Sequence, residues 1–191
     1  MKRGYFQIFL CLIIVLFSRL GYSQEQNLPL IVESKYFSVY GQKGLDFGSL
    51  LTKLYFDYLL HPSTALEESG NHNETEVLSK TLDALFLEVS DILDIHIYSF
   101  HGNIKLLADE DSINSQFRSF FKRNLNQGSF YTPENNTIYI SFADLTLGML
   151  GHEIAHAIIS RYFVVPPPAK IQEVLSGYVE YSLRKSTGTL P

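Results

Sequence analysis

The nine residues Leu150-Gly151-His152-Glu153-Ile154-Ala155-His156-Ala157-Ile158 restrict what this chain can become more than any other stretch. Apart from Glu153 and Asp144, no charged residue occurs between positions 138 and 161, so the segment reads as a helix bound for the interior. Two histidines four apart on a helix stand one turn above each other, and both imidazoles can reach one metal ion. The glutamate after the first histidine points alongside them, placed to take a proton rather than to ligate. Charge-capable groups inside an apolar helix are costly unless something binds there. The pattern is that of a zinc site, with His152 and His156 as ligands and Glu153 as general base.

A catalytic zinc takes three protein ligands and keeps a fourth position for water. The one cysteine, Cys11, lies in an N-terminal apolar run, so the third ligand has to be His, Asp or Glu. Pro166-Pro167-Pro168 cannot continue a helix, and a last helix is predicted over residues 169–185. That helix offers Glu173 and Glu180, seven apart and so on nearly the same face. Either one permits a helix–turn–helix closing on the ion.

His152-Glu153-Ile154-Ala155-His156 resembles the zincin metallopeptidase signature. Ile171-Gln172-Glu173-Val174-Leu175-Ser176-Gly177-Tyr178 resembles the glutamate helix of the gluzincin, thermolysin-like branch. The resemblance covers roughly residues 129–185. The metzincin branch does not fit: Ile159 and Tyr162 stand where its glycine and third histidine belong, and the only methionines are Met1 and Met149.

What the resemblance implies is a minimal zincin-like α+β domain. A small mixed sheet would pack an edge strand on the helix bearing the two histidines, with a glutamate-ligand helix after it. Glu173 is then the third ligand of a single Zn2+ ion, and Glu180 is left for an outer or surface role. Glu153 would activate a zinc-bound water for peptide hydrolysis and return its proton to the leaving amine. Thr137, Ile138 and Tyr139, or their hairpin partner, would form the edge that pairs with an extended substrate; an ordinary internal strand is the alternative. Tyr178, Tyr139 and His101 are candidate donors to the oxyanion. The chain departs from the branch at Gly177, where an aspartate would steady the first histidine, so another acceptor must serve.

The rest of the chain bounds the setting. Lys2 and Arg3 precede an apolar run over residues 5–17, and Gly21-Tyr22-Ser23 follows Arg19, which together read as a signal peptide over residues 1–23. Residues 24–191 are then one domain, cysteine-free, exported to a bacterial periplasm or exterior. Loss of Lys2, Arg3 and Arg19 moves the formal charge from −5 to −8. An acidic exported domain is a poor candidate for nucleic acid or anionic membranes, and no stable membrane insertion is expected after cleavage.

Strands are predicted at 31–32 and 36–40, and again at 95–101. Helices are predicted at 45–60, stopped by Pro62, and at 76–94, 112–121 and about 144–162, the last capped by Asp144. Pro133-Glu134-Asn135-Asn136 should turn a hairpin between 129–131 and 137–141. Gly148 and Gly151 in the histidine helix call for either space above the ion or close packing. Only 35 residues follow His156, so the cleft should be open on one side, suited to tolerant peptide specificity or to a protein partner that completes it. Two other readings stand beside the peptidase. One is a metal-holding module of little activity that binds a protein partner; the other is a structural zinc site with Glu180 as fourth ligand.

Overall fold

The computed structural model describes residues 28–42, 44–54, 74–125 and 127–190. The segment read as a signal peptide lies outside them, as does the end of the first helix with Pro62. The described chain is α+β, with five strands and five helices: β1 (Leu30–Glu33), β2 (Phe37–Gly41), α1 (Phe47–Lys53), α2 (Glu74–Leu93), β3 (Gly102–Leu107), α3 (Glu110–Phe121), β4 (Ser129–Thr132), β5 (Thr137–Ser141), α4 (Leu147–Tyr162) and α5 (Ala169–Ser186). The strands form one mixed sheet in the order β1-β2-β3-β5-β4. Pairing is antiparallel at both ends, β1 with β2 and β4 with β5, and parallel in the middle.

Helices cover both faces. The main core joins Ile104, Leu106, Ile138 and Ile140 of the sheet to Leu82 and Phe86 of α2 and to Ile154 and Ile158 of α4. A smaller core on the opposite face holds Ile113 and Phe117 of α3 against Phe130 and Tyr139. Period two explains the division: Ile138 and Ile140 look one way and Tyr139 the other. Phe120 of α3 is 40 % exposed.

The strand predicted at 95–101 does not form. Asp94 adopts a left-handed φ of 53° that ends α2, and the next residues climb back to the sheet as irregular chain in which Tyr98 is 100 % exposed. Phe100 is buried between Phe37 and Phe86, and the strand itself begins at Gly102. A mixed apolar–polar run looks like a strand from sequence, but only residues 102–107 come within pairing distance of β2 and β5.

Two further corrections bear on the site. Asp144 does not cap α4; its carboxylate accepts from Ser141 Oγ at 2.6 Å. The cap is Thr146, whose Oγ1 accepts from Met149 N at 3.2 Å. The sheet edge beside α4 is β4, not β5. β5 runs between β3 and β4 with all five residues buried, so Thr137, Ile138 and Tyr139 form an internal strand and their hairpin partner takes the edge.

Candidate metal centre

α4 carries both histidines on its half-buried side, and α5 packs back across it after the triple proline. The approach is close because two glycines allow it. A Cβ on Gly151 would collide with Leu183 Cδ1, and one on Gly148 would lie 3.0 Å from Arg184 Cγ. Close helix packing, rather than open space above an ion, therefore accounts for both glycines. It also sets the face of α5 that bears Glu173, Glu180 and Arg184 directly over the histidines.

Three donor groups converge there. His152 Nε2 and His156 Nε2 are 3.2 Å apart. Glu173 places Oε2 3.5 Å from the first and Oε1 3.4 Å from the second. Ligand atoms about 2.0–2.2 Å from a tetrahedral zinc lie roughly 3.3–3.5 Å from one another; each histidine nitrogen meets one Glu173 oxygen at that range, and one ligand atom from each residue lies within 4.8 Å of the other two. Among the described residues, these three form the one group of His, Cys, Asp or Glu compact enough to hold a metal. Burial and the neighbouring His152 lower the pKa of His156, against Glu173 and Gln172. A neutral imidazole is the form that ligates.

Glu180 meets the other side of the first histidine: its Oε2 is 3.3 Å from His152 Nδ1. That nitrogen is otherwise buried without a hydrogen-bond partner, and the carboxylate sits within ion-pair range but off the ring N–H direction. Metal-bound histidines almost always give their second nitrogen to an acceptor. Glu180, one helical turn beyond Gly177, is the carboxylate within reach of that nitrogen. The same position sets it against Nδ1 rather than among the converging atoms.

Glu153 stands apart from the three. It is 4 % exposed, and its Oε1 accepts from Ser129 Oγ at 2.7 Å. Burial raises its pKa to about 7, with Ser129 opposing and the charges of Glu173 and Glu180 adding to the rise. A carboxyl tuned near neutrality is the form that exchanges protons most readily at neutral pH. Ser129 carries no signal in the sequence beyond strand alternation, which turns it and Tyr131 toward α4; its tie to Glu153 is visible only in three dimensions.

A cleft of about 460 Å³ opens over this centre, lined by His152, Glu153, His156 and Glu173 on one wall and by Ser129, Phe130 and Tyr131 of β4 on the other. Burial pushes the Tyr131 phenol up to about 12, with Arg161 opposing, and its hydroxyl bonds Asn136 Oδ1 at 2.9 Å. None of the three expected oxyanion donors lines the cleft. Tyr139 lies on the opposite face of the sheet, stacked on Phe130 at 4.8 Å. Tyr178 is 57 % exposed on the outer side of α5. His101 is engaged beyond β3, where its ring bonds Ser38 Oγ at 2.9 Å and approaches Glu33 at 3.3 Å. Comparison with protein families, curated proteins and solved structures returns no match to this chain.

Proposed function

We propose that this chain is an exported zinc-dependent metallopeptidase of zincin-like build, with His152, His156 and Glu173 as ligands and Glu153 as the proton carrier. The observation that carries this reading is the convergence of three donor groups within 4.8 Å of one another beside a buried carboxyl that lines a cleft. Zinc, when bound, supplies Lewis acidity that polarises a carbonyl and acidifies a water.

The chain's own residues do the rest. Glu180 orients His152 through Nδ1, fixing the ring so that Nε2 faces the ion. Ser129 holds Oε1 of Glu153, leaving Oε2 to accept the proton of the attacking water and hand it to the leaving amine. The edge strand supplies substrate contacts. Ser141 N donates to Gly128 O at 2.8 Å, so alternation along the antiparallel ladder turns the main-chain N–H and C=O of Ser129 and Tyr131 to the free side. An extended peptide can pair there whatever its side chains.

A metal-holding module without turnover is the second reading, favoured by the near-complete burial of Glu153. Metal analysis, with casein or peptide-library hydrolysis by the parent and Glu153→Gln, tests the proposal. Zinc near one equivalent in both, with activity in the parent alone, supports the peptidase. Equal zinc and no activity in either supports the module.

A further inference from the structure

The outer side of α5 and the loop before it form an apolar surface that nothing in the fold covers. Val164 and Val165 are 100 % and 82 % exposed, and Ile171, Val174, Tyr178 and Tyr181 lie between 49 % and 62 %. The last four recur at three- and four-residue spacing, one stripe of the helix. That stripe faces away from the buried Ser176, Val179 and Leu183. Pro166-Pro167-Pro168 holds the two valines out rigidly. Isolated exposed apolar residues need no explanation, but a contiguous set marks a docking surface.

Charge selects the occupant. Lys170 lies one turn before Val174 and Lys185 one turn after Tyr181, both exposed and on the same stripe. The acids of the helix are turned elsewhere, Glu173 and Glu180 to the histidines and Glu180 also to Arg184. A second copy is therefore disfavoured, because a two-fold antiparallel pairing of these stripes would set Lys170 against Lys185. Aromatic and aliphatic residues with a lysine at each end of the stripe suit the anionic headgroup boundary of a bilayer. The net charge, −5 for the whole chain and −8 without residues 1–23, opposes approach at long range, but within a Debye length the local face decides. No helix among the described residues is long and apolar enough to cross a membrane, so contact would be at the surface.

We infer that the 164–165 loop and the outer stripe of α5 dock on an anionic lipid surface. The docked edge adjoins the cleft, whose lining includes Pro166 and Ala169, so the cleft mouth would open beside the headgroups. The inference is independent of metal and of catalysis.

The chain contains no tryptophan, which permits a local readout. Val164→Trp and, as control, Tyr98→Trp each replace a fully exposed residue, so neither depends on packing. The whole chain is used, so any lipid contact by the N-terminal apolar run is common to both. With vesicles of phosphatidylcholine and phosphatidylglycerol bearing brominated chains, the Val164→Trp emission should shift to the blue and be quenched, and the Tyr98→Trp emission should do neither. In the Val164→Trp background, Lys170→Glu with Lys185→Glu should weaken the lipid dependence of that signal at least about 30-fold, the effect of two basic residues near an anionic surface. Emission from Val164→Trp that matches the control with vesicles present overturns the inference. So does a blue shift that needs no lipid and grows with protein concentration, which would mean a second copy.

Discussion

Replacing Glu153 by glutamine isolates the cost of holding a carboxyl inside this fold. In the unfolded chain the group ionises near 4.5; in the folded chain burial keeps its proton on to about 7. Between these values the folded state binds more protons than the unfolded state, so the contribution of Glu153 makes stability fall as pH rises. The cost levels off above about pH 7, at roughly 3 kcal/mol from about 1.4 kcal/mol per tenfold displacement of the titration. Glutamine keeps the shape and can still accept from Ser129, but it has no charge to desolvate. In chelator, Glu153→Gln should match the parent to within about 0.5 kcal/mol at pH 4.5 and exceed it by roughly 3 kcal/mol at pH 8.5. Urea unfolding followed by circular dichroism at each pH reads the difference. Subtracting parent from variant cancels the other titrating groups, among them His156, whose lowered pKa makes stability rise with pH. A difference that stays flat across the range, or a parent that is the more stable at pH 8.5, would refute the reasoning.

Zinc titration should separate the roles of the two α5 glutamates. Glu180→Gln is expected to weaken binding about 10–100-fold, as for other residues that orient a ligand, and Glu173→Ala to weaken it further. Equal losses would mean the roles are misassigned. Ser129→Ala removes the donor to a buried carboxylate and should cost roughly 2 kcal/mol at pH 8.5 but about 1 kcal/mol at pH 4.5, read by the same unfolding curves. Two glycines on the α4–α5 pair should behave oppositely. Gly177→Ala meets nothing within 4 Å and should stabilise by about 0.5–1 kcal/mol, while Gly151→Ala drives into buried Leu183 and should destabilise by about 1–2 kcal/mol. Thermal melts of both variants check the pair.

Wherever one local rule dominated, the fold was legible. The 3.6 period of α2, α4 and α5 and the turn chemistry of residues 133–136 set those elements within about three residues. What failed depended on partners far along the chain. β3 is polar at Asn103 and Lys105 and opens on Gly102, so nothing local ranks it above residues 95–101; its place between β2 and β5 does. The same limit governs β5. Its sequence suits an edge or an interior strand equally, and only the parallel pairing to β3 makes it internal. Tyr139 shows the consequence, since an internal strand with α3 packed on one face sends that side chain away from the cleft. In the site, spacing on one helix places His152, Glu153 and His156, whereas the tie of Ser129 to Glu153 spans 24 positions and leaves no periodic trace.

The balance of charge around the histidines argues for a cation more strongly than the motif alone. Glu173 approaches both Nε2 atoms, Glu180 approaches Nδ1 of the first ring, and Glu153 lies buried close enough to both for their charges to raise its pKa. Against these three carboxyls the cation in ion-pair range, among the described residues, is Arg184, 3.6 Å from Glu180. Like charges gathered in a partly desolvated place disfavour the folded state unless something neutralises them. Protonating both imidazoles would supply that charge, but burial and mutual repulsion hold His156 toward its neutral form. A divalent ion held by His152, His156 and Glu173 would supply it without either penalty. Removing the proposed zinc with a chelator should therefore destabilise the α4–α5 pair before it disturbs the sheet.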